Sequence, residues 1–265
     1  MRRDAPGVLD TARVRAALSA TRFADVRSVA VTGSTNDDVA PHLGDPSWDG
    51  TTLVADLQTA GKGRKPGRAW ISPAGSALLM TTVLPVPLRA DALWAVPFWT
   101  ALAVADGVEQ ACTVRLELRW PNDLDLRARK ISGILCASRV AGDAARVACG
   151  VGLNLVRPSA NVATEIVPPP AYLGDAASSV AREDVLAAIL TAMDGLLPLL
   201  DRPDDVARAW EQRAELRGRD YAVKRDADGT VLRGRAVRLD GEGGLILDVD
   251  GTEHTVHLGD ARVIV

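Results

Sequence analysis

Lys62, Arg64, Lys65 and Arg68 place four cations within seven positions, and Gly61, Gly63 and Gly67 punctuate them. A glycine-rich loop can turn backbone N–H groups towards an anion while lysine and arginine side chains neutralise it, so this segment has the parts of a phosphate-handling loop. A solvated basic turn is the plainer reading of the same residues. The spacing fits neither the Gly-x-x-x-x-Gly-Lys-[Ser/Thr] of P-loops nor the Gly-x-Gly-x-x-Gly of dinucleotide folds. Displacement at phosphorus asks a protein for positioning and for charge on the phosphate oxygens, and fixed cations near flexible backbone supply both.

Four further segments carry chemistry-bearing side chains. Arg119-Trp120-Pro121-Asn122-Asp123-Leu124 leaves a carboxamide and a carboxylate just past a proline that stops a strand, although Pro-Asn-Asp is equally good turn chemistry. Arg129-Lys130-Ile131-Ser132-Gly133-Ile134-Leu135 puts two cations at the entrance of an apolar strand. The side-chain oxygens of Ser34-Thr35-Asn36-Asp37-Asp38 either cap a helix that begins near Asp37 or point into a site. Gly150-Val151-Gly152-Leu153-Asn154 holds two glycines within a strand, the mark of a bulge or of a place where something must approach the backbone closely.

The elements that must position these groups follow from periodicity. Residues 51–57 are β-branched and apolar, so the cationic loop hangs off the end of a buried strand; residues 29–32 and 77–84 read as further strands. Residues 93–112 are mostly Ala, Val, Leu and Trp with no glycine before Gly107, and that length favours a buried helix. Residues 114–120 alternate as a half-buried strand, and residues 130–140 and 146–155 form a hairpin around Ala141-Gly142-Asp143. Helices are expected at residues 10–18, 182–200 and 203–215. After Leu216 the pattern changes to short alternating strands, a small all-β barrel of about 45–50 residues. The expected division is therefore residues 1–216 and residues 217–265.

Composition bounds the function. With 265 residues, 47% apolar and 25% charged, the chain can bury one large core and a small further domain. A net charge of −3 gives no global basic field, so nucleic acid is not an expected partner. Cys112, Cys136 and Cys149 are odd in number and lie in apolar contexts, as small core residues do. His254 and His257 are three apart in an expected strand and so face opposite ways, which argues against a shared metal. No stretch is long and apolar enough to span a membrane, and no apolar run follows Met-Arg-Arg-Asp-Ala-Pro, so the expected setting is cytoplasmic.

In order, Ser-Thr-Asn at residues 34–36, Gln58-Thr59-Ala60-Gly61-Lys62-Gly63-Arg64 through Gly67-Arg68-Ala69-Trp70, Trp120-Pro121-Asn122-Asp123-Leu124, Arg129-Lys130 through Gly133-Ile134-Leu135, and Gly150 through Asn154 resemble the biotin–protein ligases. The resemblance implies an α+β fold, a class II synthetase-like central mixed sheet flanked by helices, with a small C-terminal SH3-like β-barrel. It implies a reaction in which biotin and ATP, with Mg²⁺, form biotinyl-5′-adenylate and diphosphate. A lysine of a biotin carboxyl carrier domain then takes the biotin.

The same resemblance implies residue roles. Ser34, Thr35, Asn36 and Gln58 would contact the ureido and thiophene ends of biotin. Gly61, Lys62, Gly63 and Arg64 would line its valeryl chain and the adenylate phosphate, with Arg68 nearer the leaving diphosphate and Trp70 facing adenine. Lys130 would bridge the biotin carboxylate and the α-phosphate, whose repulsion is several kcal/mol at about 4 Å for an effective dielectric of ~20. Gly133 would admit biotin close to the backbone. Asn122 and Asp123 would act near metal and phosphates, Asp123 orienting the acceptor amine or taking its proton, and Asn154 would contact the nucleotide. Mg²⁺ would be held largely by phosphates and water.

Residues 61–70 would then form a lid, mobile when empty and ordered over the intermediate. Two features depart from the family pattern: Lys62 stands where arginine is commonest, and one residue is added between Arg64 and Arg68. About 30 residues precede Ser34, too few for the winged helix-turn-helix of family members that repress transcription, so a monofunctional ligase without DNA binding is expected, as monomer or homodimer. Lipoate–protein ligases are the nearest alternative, but their Arg-Arg-x-Ser-Gly-Gly-Gly segment is absent. A non-catalytic biotin binder would not need Asn122, Asp123 and Lys130.

Overall fold

Seven strands lie edge to edge in one mixed sheet: β1 (Val26–Thr32), β2 (Thr52–Gln58), β3 (Ala77–Val83), β8 (Ala144–Asn154), β7 (Arg129–Ala141), β6 (Asp123–Leu126) and β5 (Glu117–Arg119). A two-residue strand, β4 (Leu88–Arg89), pairs with β8 off this path. The computed structural model describes residues 9–158, 168–226, 228–257 and 261–263. Only β1 and β2 run parallel, in register Val26↔Thr52 to Thr32↔Gln58; the other pairs are antiparallel.

Every residue of β3 is buried, so this strand must be covered on both faces, and the chain supplies two unequal layers. One layer holds α1 (Thr11–Ala17), α3 (Val96–Cys112), α4 (Arg182–Leu196) and α5 (Pro203–Ala214), which bury Trp99, Phe98, Ile189 and Trp210 with Leu78, Met80 and Val151 of the sheet. Among the described residues, the opposite face carries α2 (Thr35–Val39) and two short 3₁₀ turns over a small cluster of Val39, Leu43, Leu53, Val83 and Ala148, with the Trp70 ring farther along it. The thinly covered face is where a groove can form. It is also the face of Gly150 and Gly152, which alternate with core-facing Cys149 and Val151.

The helix layer packs closely because α3 has a glycine where it meets α4. A Cβ at Gly107 would lie 2.5 Å from Ile189 Cα and 2.6 Å from Ile189 N, with backbone on both sides of the clash. Gly107→Ala should therefore cost about 1–3 kcal/mol. The expected result is a lower urea midpoint with an unchanged slope.

Several sequence expectations need local correction. The helix expected at residues 93–112 is a 3₁₀ turn at Ala90–Ala95 followed by α3, with proline in its first turn. The strand expected at residues 114–120 shortens to β5, and Asp123, expected beyond a strand end, itself opens β6 through the pair Arg119↔Asp123. The β7–β8 ladder closes at Ala141↔Ala144, leaving Gly142 and Asp143 as a two-residue loop, with Gly142 at φ 61° in the first central position.

The C-terminal barrel is not formed. Strands β9 (Asp220–Arg225), β10 (Val231–Leu239), β11 (Leu245–Val249), β12 (Thr252–Val256) and β13 (Ala261–Val263) make an open sheet in the order β12-β11-β10-β9-β13. Its outer strands, β12 and β13, have no pairing with each other among the described residues. Closure needs consistent tilt and stagger around a full circle, and an alternating pattern of short strands specifies the strands without specifying that closure. The sheet buries one face, with Tyr221, Val223, Ala236, Leu245 and Leu247 joining the core beside β5. Trp120 Nε1 donates to Gly243 O at 3.0 Å, and an Arg219 guanidinium nitrogen donates to Leu118 O at 3.0 Å.

Candidate active site

The floor of the groove is a patch of strand without side chains. Gly133 of β7 and Gly152 of β8 are direct cross-strand partners, and Gly150 lies two residues earlier on the same face. A Cβ at Gly150 would stand 2.3 Å from Asn36 Oδ1, and one at Gly152 would stand 2.6 Å from the Trp70 ring. The close approach inferred for the two β8 glycines is made by the protein's own Asn36 and Trp70. At Gly133 the nearest groups are again the Trp70 ring, 3.1 Å from an added Cβ, and Lys130 Nζ at 3.3 Å.

One end of the groove is a fixed polar cluster. The backbone N–H and hydroxyl of Thr35 both donate to Gln58 Oε1, at 2.8 and 2.9 Å, joining the start of α2 to the end of β2. Thr81 Oγ1 of β3 lies 2.8 Å from Thr35 Oγ1 and 2.6 Å from Asn36 Oδ1, and Asn36 Nδ2 donates to Leu135 O at 2.8 Å. Ser34 is the N-cap residue of α2, but its buried hydroxyl makes no capping hydrogen bond. Ser34, Thr35 and Asn36 line the groove, whereas Asp37 pairs with Lys62 and Asp38 accepts from the Thr32 hydroxyl. Thr81 was not foreseen. Thr81 and Thr82 follow the apolar run Leu78-Leu79-Met80, nothing local separates the two hydroxyls, and the partners of Thr81 come from distant segments.

The cationic segment is a small hairpin. Lys62 and Ala69 form an antiparallel bridge, Trp70 N donates to Gly61 O at 2.9 Å, and Gly63 N donates to Arg68 O at 2.7 Å. Arg68 N closes onto Lys65 O at 3.1 Å across Pro66 and Gly67, and Gly67 has φ 74°. Proline second and a positive-φ glycine third are what a type II turn requires, so the added residue makes a hairpin turn here. Lys62 Nζ pairs with Asp37 at 2.7 Å, and Lys65 pairs with Asp226. Burial pushes the Arg64 guanidinium below its ordinary pKa, opposed by the charges of Asp123 and Asp226.

The facing wall carries a chain of alternating charges. Lys130 Nζ lies 2.6 Å from Asp123 Oδ1, Asp123 Oδ2 lies 3.5 Å from Arg119, and Arg119 Nε lies 3.1 Å from Asp125 Oδ2. Asp125 is buried, and that burial raises its carboxyl above the ordinary value against the pull of Arg119. Asn122 is held through side chain and backbone: Nδ2 donates to Ile134 O at 2.7 Å, and Ile134 N donates to Asn122 O at 2.9 Å. Lys130 Nζ also stands 5.8 Å from the centre of the Trp70 ring, within reach of a cation–π contact. The buried Trp70 Nε1–H has no hydrogen-bond partner among the described residues.

Two chambers result. The smaller, about 70 Å³, is lined by Ser34, Thr35, Asn36, Gln58, Lys62 and Gly133 among others. The larger, about 380 Å³, takes in Arg68, Arg119, Asp123, Asn154 and Tyr172. Gly63, Arg64, Trp70, Asn122 and Lys130 line both. Asn154 lies in the larger chamber with Nδ2 donating to Ala171 O at 3.1 Å. Gly61 lines neither; a Cβ there would strike Trp70 O at 2.5 Å, so its glycine serves the hairpin. The geometry suits a reaction in which two ligands meet where Arg64 and Lys130 can neutralise anionic groups from both.

Residues 29–154 match the model of the Biotin/lipoate A/B protein ligase family. The chain is 34% identical over 230 residues to the biotin–[acetyl-CoA-carboxylase] ligase of Paracoccus denitrificans, covering 83% of this chain and 92% of that protein. It is 29% identical over 226 residues to the bifunctional ligase/repressor BirA of Bacillus subtilis, and the match spans 81% of this chain and 66% of that relative's length. Among solved structures, the biotin protein ligase from Aquifex aeolicus in complex with biotin and ATP superposes with a TM-score of 0.71 at 22% identity, over 91% of this chain and 98% of that one. That superposition establishes a shared fold.

Proposed function

The chain belongs to the biotin–protein ligases of the Biotin/lipoate A/B protein ligase family, and we propose that it activates biotin with ATP as biotinyl-5′-adenylate and transfers the biotinyl group to a lysine of a biotin carboxyl carrier domain. The observation that carries this reading is the pair of chambers sharing Arg64 and Lys130. Biotin occupies the smaller chamber, its ring system against Ser34, Thr35, Asn36 and Gln58 and its tail along Lys62, Gly63 and the glycine floor, with Trp70 facing the adenine. ATP occupies the larger one, with Arg68 towards the diphosphate and Asn154 towards the nucleotide.

In the first step a biotin carboxylate oxygen bonds to the α-phosphorus, and the bond from that phosphorus to the bridging oxygen breaks, releasing diphosphate. Lys130 lies where the two anions meet and lowers their repulsion, and Arg64 adds charge from the hairpin side. In the second step the acceptor amine attacks the acyl carbon and AMP leaves with its electron pair. Asp123 accepts the amine proton, and Asn122 holds the turn that presents it.

No group of three or more His, Cys, Asp or Glu side chains suited to a metal occurs among the described residues, and Asp123 is already engaged by Lys130 and Arg119. These residues fit a Mg²⁺ ion that enters as Mg-ATP, bound to phosphates and water. The reading is of a monofunctional ligase in the cytoplasm that does not bind an operator, supported by a net charge of −3. Among the described residues no helix is long and apolar enough to cross a membrane.

Biotin-dependent exchange of labelled diphosphate into ATP, without a carrier, tests the first step. Exchange with biotin and none with lipoate is expected; exchange with lipoate alone would overturn the assignment. Thr81→Val removes the hydroxyl that sits between Thr35 and Asn36, and with roughly 1 kcal/mol for each of its two contacts it should weaken biotin binding about five- to thirtyfold by calorimetry. An unchanged affinity would place the biotin ring elsewhere.

A further inference from the structure

The hairpin at residues 61–70 is held from two sides. At its base Lys62 pairs with Asp37 of α2 at 2.7 Å, and at its tip Lys65 pairs with Asp226, the residue that follows β9 in the C-terminal sheet. Lys65 is the first residue of the Pro66-Gly67 turn, in the stretch that carries one residue more than the family pattern. Asp226 also acts electrostatically on the neighbouring Arg64, one of the two cations shared by both chambers. A charge on the C-terminal sheet therefore reaches the reacting centre through the hairpin.

We propose that Lys65 and Asp226 are positioning residues that latch the hairpin over the active site, making the C-terminal sheet part of the device that retains the acyl-adenylate. The inference rests on the ligase reading above and adds a role for the C-terminal sheet. Neither residue touches the reacting atoms; the latch sets where Gly63, Arg64 and Trp70 stand. Partly exposed ion pairs are individually weak, so the effect of losing one is a change of about two- to fivefold in how often the hairpin opens.

Two measurements decide it. In the ligand-free chain, Asp226→Ala should raise hydrogen exchange of the Gly63, Arg68 and Trp70 amides by about two- to fivefold, with the β8 amides unchanged. With biotin and Mg-ATP, Lys65→Asp and Asp226→Lys should each speed release of biotinyl-adenylate by a similar factor, and the double swap Lys65→Asp/Asp226→Lys should restore retention, as should Asp226→Glu alone. Hairpin amide exchange that ignores Asp226→Ala, or a double swap no better than either single variant, overturns the latch. If the unmodified chain makes no adenylate, the ligase reading fails instead, and the exchange measurement still decides the latch.

Discussion

Replacing Lys130 with alanine should lower adenylate formation by about 10²–10³-fold, the loss typical when one preorganised charge-stabilising group is removed from a reacting centre. Lys130 stands at the junction of both chambers, over the Trp70 ring and 2.6 Å from Asp123. Its side chain is 39% exposed, so its removal opens no core cavity, and Asp123 keeps Arg119 as a partner at 3.5 Å. Structure should survive while chemistry does not. An unchanged thermal midpoint checks the first, and biotin-dependent diphosphate release checks the second. Near-normal diphosphate release would remove Lys130 from the first step.

Asp123→Asn is the second large effect, and it separates two roles that the geometry combines. As the acceptor of the amine proton, Asp123 should contribute about 10²–10⁴-fold to transfer. As the partner of Lys130, it should contribute to both steps by holding the ammonium in place. Single-turnover chase of preformed adenylate with the apo carrier domain distinguishes them. A loss of that size in transfer with a much smaller one in adenylate formation is expected. Equal losses in the two steps would reduce Asp123 to a holder of Lys130.

The residues that meet in the site were legible because they lie in short, chemically distinctive runs. Lys62 to Arg68, Trp120 to Asp123 and Arg129 to Gly133 each bring several unusual neighbours together, and strand ends deliver all three to one groove. The partners of these residues were not legible. Asp37 for Lys62, Asp226 for Lys65 and Thr81 for Asn36 come from segments 25 or more residues away, and no local pattern marks them.

Turn chemistry misled where it was accurate. Pro121 and Asn122 do form a turn, but it is the turn of a hairpin whose second strand begins at Asp123. The C-terminal error is of another kind. Alternation in residues 220–256 specified strands and their buried face, but whether β12 meets β13 depends on tilt accumulated over the whole sheet. The hairpin at residues 61–70 shows the opposite case, since Pro66-Gly67 reads directly as a type II turn once its neighbours are seen to pair.

On the proposed function, one chain both makes the biotinyl-adenylate and passes its acyl group to a protein lysine. Incubation with biotin, Mg-ATP and a purified apo carboxyl carrier domain, followed by intact mass of the carrier, tests it most directly. A single biotinyl increment is expected that requires ATP and is absent when the acceptor lysine is replaced by arginine. A carrier of unchanged mass, beside a chain that still binds biotin, would contradict it.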